Sequence, residues 1–417
     1  TLEAGFNTIR KHVTVEPDVF YHYCDKKGVL VWQDMIHGDH YNYKEKQPEK
    51  DPPVARQFEK ELEELVDHLI NHPSIVMWVP FNEGWGQYDT ERIYNMVKNQ
   101  DSSRLVIPAS GWVDMGIGKI YDIHRYPGPG KYEKPGPGRA FVIGEFGGLG
   151  NPVDDHLWNP DKRNWGYLTF ESTEKFKKEY EDLVFQIPFL KEKGLSAAIY
   201  TQTSDVEGEV NGFMTYDRKV NKIPTDTLAH IHRQVYHTSP ETRAVLPSSH
   251  VEPQMWKYTT QKPGENWMNE GFDDSEWEEG KGVFGYDHPQ SQLGMGYYRR
   301  NDPQADPNTR WRSTDIWLRK SITMEKIPDD LLMRVRHDDD ARVYVNGQLV
   351  TDVGHRNVHY EHYVLFRLND EQKSAFRQGQ NIIAVHGYND LGEGRHKKGA
   401  NQSVDVGIYE MVKDPGL

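Results

Sequence analysis

The chain has 417 residues and a formal net charge of −14. That length suits two or three domains, and the acidity excludes an electrostatic footprint for nucleic acid. One cysteine, Cys24, excludes an internal disulfide, and no Cys/His cluster has zinc spacing, so neither a metal nor a cofactor is expected. No apolar run approaches the roughly 20 residues of a membrane span.

Thr1–Phe6 reads as the end of a helix running into a strand, Gly5-Phe6-Asn7-Thr8-Ile9-Arg10, with Lys11 and His12 just beyond. Glu16-Pro17 opens a short helix through Cys24. Val29–Trp32 is a buried strand ending in Gln33 and Asp34. A helix over about 54–71 carries Phe58, Leu62, Leu65, Val66, Leu69 and Ile70 at helical spacing. Ser74–Phe81 is apolar without alternation, as in a strand buried on both faces, and stops abruptly at Asn82-Glu83-Gly84.

A helix near 90–99 precedes the strand Leu105–Ala109, which ends near Ser110-Gly111-Trp112. Ile120–His124 follows, with Arg125, Tyr126 and a Pro/Gly loop after it. Ala140–Gly144 repeats the earlier grammar and ends in Glu145-Phe146-Gly147. A long amphipathic helix over about 172–193 leads to Ser196–Gln202, and a closing helix lies near 225–236.

Seven strands, most followed by a helix, predict a parallel α/β arrangement. The fold expected is a (β/α)₈ TIM barrel over residues 1–237, whose first strand would precede residue 1. Polar residues at the carboxyl ends of barrel strands line the active face. Two glutamates, Glu83 and Glu145, at the mouths of two buried strands are what glycoside hydrolysis needs: one protonates the leaving oxygen and the other attacks the anomeric carbon or activates water.

After His237 the composition changes. Residues 238–253 are rich in Ser, Thr and Pro and read as a linker. Residues 254–417 lose the helical pattern and show β-type runs at Asp315–Ile322, Leu331–Val335, Ala341–Val345, Val364–Leu368, Asn381–His386 and Ser403–Ile408. Asn346-Gly347 predicts a two-residue hairpin turn. This half is expected to be an all-β jelly-roll sandwich. The Asp338–Asp340 triplet reads as a solvated turn, since the ligand spacing of a calcium loop is missing.

The first half resembles glycoside hydrolase family 2, the barrel family of β-galactosidases, β-glucuronidases and β-mannosidases. Gly5–His12 is similar to its second-strand motif, and Phe20-Tyr21…Cys24-Asp25…Gly28–Trp32 to the approach to its third strand. Asn82-Glu83 is similar to its fourth-strand pair and Glu145-Phe146-Gly147 to its seventh-strand nucleophile motif. The second half resembles galactose-binding-like sandwiches through Trp311…Asp315–Lys320 and His337–Gly347, and a stabilising accessory role is expected of it ahead of glycan binding.

The resemblance implies that Glu83 is the acid/base and Glu145 the nucleophile of a retaining, exo-acting β-glycosidase of β-galactosidase-like type. A noncatalytic carbohydrate-binding barrel, a β-glucuronidase or β-mannosidase type and an endo-acting barrel are the alternatives. Its partner is a carbohydrate substrate, and a secreted or periplasmic location is expected. Glu83 should be kept protonated by the nucleophile's charge and by an apolar wall from Trp78, Phe81 and Trp85. Asn82 should bond the sugar 2-hydroxyl, and Arg10 is a candidate to hold the nucleophile. His12, Asp34, Trp112, His124, Tyr126, Tyr200 and Gln202 are further substrate-binding candidates. One departure stands out: glucuronide-cleaving members carry Asn-x-Lys after the eighth strand, and here the text is Asn211-Gly212-Phe213, without the lysine.

Overall fold

The computed structural model describes residues 1–37, 49–130, 132–236, 240–286, 307–337, 339–353, 363–389 and 402–413. The chain divides into two units, Thr1–Ser239 and Pro240–Asp414.

The first unit alternates strands and helices: β1 (Thr8–Lys11), α1 (Asp18–Lys27), β2 (Leu30–Asp34), α2 (Pro52–Leu69), β3 (Ile75–Val79), α3 (Thr90–Gln100), β4 (Leu105–Val106), β5 (Ile120–Arg125) and β6 (Ala140–Gly147). A short pair, β7 (Leu149–Gly150) and β8 (Leu168–Thr169), precedes α4 (Thr173–Lys193), β9 (Leu195–Thr201) and α5 (Thr225–Tyr236). Two parallel arcs result, β1-β2-β3-β4 and β5-β6-β9.

The arcs enclose one interior. Trp32 of β2, Met77 and Val79 of β3, Ile107 after β4, Ile120 of β5 and Val142 of β6 form one cluster, joined by Ala197 and Ile199 of β9. The alternate residues point the other way, because successive side chains leave opposite faces of a strand. Val31, Ile75 and Trp78 pack against α1, α2 and α3, and Phe141 and Ile143 against α4 and α5. Helices outside parallel strands that share an interior make this an α/β barrel.

Local chemistry sets the helix ends. Gly28 takes φ 74 at the end of α1 and returns its N–H to Cys24, a conformation that costs a side chain but not glycine. Ser172 caps α4 by accepting from the Lys175 N–H.

The second unit is β-rich. Its strands are β10 (Glu241–Leu246), β11 (Met255–Thr259), β12 (Glu278–Lys281), β13 (Phe284–Tyr286), β14 (Thr309–Arg310), β15 (Asp315–Met324), β16 (Leu331–His337), β17 (Asp340–Val345), β18 (Gln348–Asp352), β19 (Tyr363–Arg367), β20 (Gly379–Tyr388) and β21 (Gln402–Lys413), with one short helix, α6 (Asp370–Lys373). One sheet runs β14-β13-β21-β16-β19, with β10 also on β21, and the other runs β12-β11-β15-β20-β17-β18. Both feed one core that includes Ile316, Leu318, Val343, Ile383 and Val385 from one sheet and Leu331, Met333, Val404, Val406 and Ile408 from the other. Asn346 and Gly347 turn β17 into β18 with φ 50 and 88, as an Asn-Gly hairpin requires.

One expectation is corrected. The stretch expected as a linker, 238–253, carries β10, which pairs antiparallel with β21, and the side chains of Ser248 and Ser249 are buried. Ser249 donates its hydroxyl and its N–H to Asp405 at 2.6 and 2.7 Å. Polar composition misleads here because the groups that satisfy these residues lie far along the chain. Of the Asp338–Asp340 triplet, Asp338 lies outside the described residues.

Candidate active site

The carboxyl ends of β1, β2, β3, β5, β6 and β9 bring one polar cluster together. Glu145, near the end of β6, is its centre. Arg10 Nη1 donates to its Oε1 at 3.0 Å, and the Tyr126 hydroxyl donates to its Oε2 at 2.6 Å. His124 Nδ1 lies 3.3 Å from Oε2, and His12 Nε2 lies 3.8 Å from Oε1. Burial alone would raise the Glu145 pKa. The charges of His124, Arg10 and His12 and the Tyr126 hydrogen bond outweigh it and hold the carboxyl below its ordinary value.

Arg10 ties the site to the neighbouring strands. It forks onto Asp34 through Nε at 3.1 Å and Nη2 at 2.8 Å, and Nη2 also donates to Asn82 Oδ1 at 2.7 Å. Burial opposes the guanidinium charge, but Asp34 and Glu145 more than restore it. Asp34 therefore braces Arg10 from inside the barrel, where its carboxylate is buried. Asn82 is fixed three ways: by Arg10, by the His37 ring that accepts its backbone N–H at 3.1 Å, and by the approach of its Nδ2 to His12 at 3.3 Å.

Glu83 follows Asn82 with φ 54, and Gly84 with φ 78. A left-handed backbone at a non-glycine residue is strained, and here the Ser110 carbonyl holds it by accepting the Glu83 N–H at 2.7 Å. The turn aims the carboxylate at His124, whose Nδ1 lies 2.8 Å from Glu83 Oε1.

His124 is the hub between the two glutamates. Its Nε2 reaches Ser110 Oγ at 2.8 Å, and that hydroxyl donates onward to Asp122 Oδ2 at 2.6 Å. Burial would lower the ring's pKa, but Glu145, Asp122 and Glu83 overturn that and push it up to about 9. The ring is thus an imidazolium that donates from both nitrogens. Arg10 Nη1, 3.2 Å from Nε2, is then a second cation held beside it by the surrounding carboxylates. Gly144 is glycine for this reason: its N–H donates to Asp122 Oδ1 at 2.5 Å, and a Cβ there would lie 2.3 Å from Asp122.

The sign of the pH dependence follows. The folded pKa of His124, about 9, exceeds the ordinary histidine value of 6.5, so its contribution to stability is full below pH 6.5 and is lost as pH rises through 9. Integrated over the shift it is about 3 kcal/mol. Urea denaturation of wild type and His124→Gln at pH 6 and pH 9.5 should show the stability gap narrowing by that order. A gap that widens toward pH 9.5 would contradict the charged ring. Glu145 acts in the opposite sense: its contribution is present above its ordinary carboxyl range and is lost in acid.

One ligand atom each from Glu83, His124 and Glu145 lie within 4.8 Å of one another, the one such group among the described residues. A metal ion there would first have to displace the protons that His124 donates.

Several sequence expectations change. Tyr200 faces away from the cluster. It stacks on Phe213 with centroids 4.6 Å apart and meets Tyr180 edge-on at 5.0 Å, in the layer beneath α4. Thr201, one residue on, takes the inward position, with Oγ1 2.9 Å from the Tyr126 hydroxyl. Trp78 and Phe81 also face outward, Trp78 donating to Asp101 and Phe81 stacking on Phe58, so neither walls Glu83. Trp112 is partly exposed beside Gly111, and Trp85 is exposed. Gln202 donates to Asn211 Oδ1 at 2.6 Å and reaches toward Glu209. Ser110, Asp122, Thr201, Tyr167 and Glu209 were not anticipated. Counting alternate residues along β5 from His124 would have found Asp122.

Comparison with known proteins adds a family. Residues 2–123, which carry Arg10, Asn82 and Glu83, match the family model described as "Glycosyl hydrolases family 2, TIM barrel domain". Over that stretch, under a third of the chain, it is similar to glycosyl hydrolases family 2. A β-mannosidase B of Emericella nidulans is 36% identical over 91 residues, 22% of this chain and 10% of the relative. A putative β-glucuronidase of Formosa agariphila is 31% identical over 111 residues, 26% of this chain and 10% of the relative. The matched stretch is thus about a tenth of the length of either relative. A solved family 2 β-galacturonidase of Eisenbergiella tayi bound to galacturonate is 20% identical, covering 56% of this chain and 46% of that one at a TM-score of 0.43.

Proposed function

We propose that this chain is a family 2 glycosidase, a retaining, exo-acting β-glycosidase in which Glu145 is the nucleophile and Glu83 the acid/base. The observation that carries the reading is the carboxylate spacing. An oxygen of Glu83 and an oxygen of Glu145 lie within 4.8 Å of each other. Retaining enzymes hold the pair about 5–5.5 Å apart, whereas inverting ones need about 6.5–9.5 Å to admit a water.

The electrostatics around Glu145 support its part in this division of labour. A nucleophile must be ionised, and Arg10, His124 and Tyr126 hold Glu145 so. Glu83 is met by the His124 N–H alone among these groups, and its carboxylate remains partly exposed, where a leaving oxygen would sit. Asn82, with Oδ1 committed to Arg10 and Nδ2 lying 3.3 Å from His12, has its second Nδ2 hydrogen for the sugar 2-hydroxyl. A purely binding barrel would have no use for a spacing that suits displacement.

For the sugar, we read a neutral β-hexoside. The family resemblance puts β-galactosides first, and the names of the fungal relatives point toward β-mannosides. The second unit is read as an accessory sandwich of jelly-roll type. Incubation with 2-deoxy-2-fluoro β-galactosides, β-mannosides and β-glucosides, followed by peptide mass spectrometry, tests the assignment. A covalent adduct on Glu145 is expected from at least one sugar. An adduct on another carboxylate, or none from any sugar with folded protein, would overturn it.

A further inference from the structure

Glu209 is a further carboxylate at this site, besides Glu83, Glu145, Asp34 and Asp122, and the double displacement has no task for it. It lies in the loop after β9 and is fixed from two sides. Its backbone bridges Trp165, whose N–H bonds the Gly208 carbonyl and whose carbonyl takes the Val210 N–H at 2.9 Å. Its side chain is braced through one oxygen: Oε2 receives Asn211 Nδ2 at 3.3 Å and faces Gln202 Nε2 at 3.5 Å. Asn211 is fully buried, and Gln202 is the residue directly after Thr201, which contacts Tyr126 on the nucleophile. Oε1 has no hydrogen bond among the described residues.

The position relative to the reaction centre is marked by Tyr167. Its ring stacks on Tyr126 at 3.7 Å and nearly parallel, and its hydroxyl feels the charges of Glu83, Glu145 and Glu209 together. His12 likewise acts on both Glu145 and Glu209. Gly212 is held tightly beneath this loop: its N–H donates to Asp205 Oδ1 at 2.8 Å, and a Cβ would lie 2.3 Å from the Asp205 nitrogen. Asp205 is in turn locked to the buried Lys222 at 2.7 Å. The loop is therefore a rigid support for Glu209.

We infer that Glu209 determines glycone specificity: its free oxygen accepts a hydrogen bond from a sugar hydroxyl, and its charge turns away the carboxylate of a uronide. This rests on the glycosidase reading above and deepens it. A uronate needs a cationic or neutral donor opposite its carboxylate, and the groups bonded to Glu209 are two amides already spent on each other and on Oε2. A hydroxyl suits the acceptor that remains. The charge-assisted bond would favour neutral sugars and the repulsion would disfavour acidic ones, so both effects push specificity the same way.

The test compares wild type with Glu209→Gln, which keeps the shape and removes the charge. Nitrophenyl β-galactoside, β-mannoside, β-glucoside, β-glucuronide and β-galacturonide are the substrates. Wild type should prefer a neutral sugar. In Glu209→Gln, kcat/KM for that sugar should fall about 10- to 100-fold, and the neutral-to-uronide ratio should fall at least as far. Thermal melting confirms folding, and Gln202→Ala, which loosens the brace, should shift the ratio the same way by less. An unchanged ratio in Glu209→Gln, or a wild type that prefers uronides, overturns the inference. Adduct formation on Glu145 is followed in the same preparations. Wild type without an adduct removes the glycosidase reading and this inference together, whereas an adduct with an unchanged ratio removes this one alone.

Discussion

Replacing Glu145 by alanine is expected to lower turnover of aryl β-glycosides by at least about 10⁴-fold while leaving the fold intact. The expectation follows from what surrounds the carboxylate. Arg10, His124 and Tyr126 converge on it within 3.3 Å, and both of its oxygens are held. Removing it leaves each partner a second anchor: Arg10 keeps Asp34 and Asn82, His124 keeps Glu83 and Ser110, and Tyr126 keeps Thr201. The barrel should therefore still fold. The His124 ring, deprived of its largest favourable charge, should titrate below its present value of about 9. A cavity lined by donors also admits small anions. Azide or formate should restore turnover of an activated β-glycoside, and azide should yield the α-glycosyl azide, because it attacks from the face the nucleophile used. NMR of the product reads the anomer. Unaltered turnover in the alanine variant would sink the nucleophile assignment.

The distinction between what the chain discloses and what it hides follows from the range of the interactions. Glu83 and Glu145 stand out because a buried strand that ends in a charge is a local conflict, visible within about ten residues. Arg10, Asn82, His124 and Tyr126 share that grammar, and the structure gathers all four around the two glutamates. Tyr200 shows the limit of reading strand ends without parity. A shift of one residue moves a side chain to the other face, so Thr201 faces Tyr126 while Tyr200 joins the aromatic layer under α4. Glu209 was illegible for a different reason. It lies in a loop after β9, and it acquires meaning only through contacts with Trp165 in an insertion some forty residues earlier. The same holds for β10, whose partner β21 is more than 150 residues away and half of whose own residues are exposed. Local composition carries no trace of so distant a pairing.

For Glu83, the expected result is a loss that depends on the leaving group. A general acid matters most when the departing oxygen is a poor leaving group, and its typical contribution is about 10²- to 10⁴-fold. Glu83→Ala should therefore lose about that much kcat/KM with alkyl or sugar aglycones, and far less with a dinitrophenyl aglycone, which departs without protonation. Its kcat should fall with every aglycone, because the same residue must later activate water against the glycosyl–Glu145 ester. The backbone geometry makes the variant a fair test. The left-handed turn at residue 83 is held by the Ser110 carbonyl and followed by Gly84, neither of which involves the carboxylate. His124 stays bound to Ser110 and faces Glu145, so Glu145 keeps its orientation. Azide should then raise kcat for the dinitrophenyl substrate and give the β-glycosyl azide, the anomer opposite to that from Glu145→Ala. Two rescued products of opposite configuration would place the two glutamates on opposite sides of the anomeric carbon. An equal loss for good and poor leaving groups, or the same anomer from both variants, would remove Glu83 as the acid/base and leave the 4.8 Å pairing without a catalytic meaning.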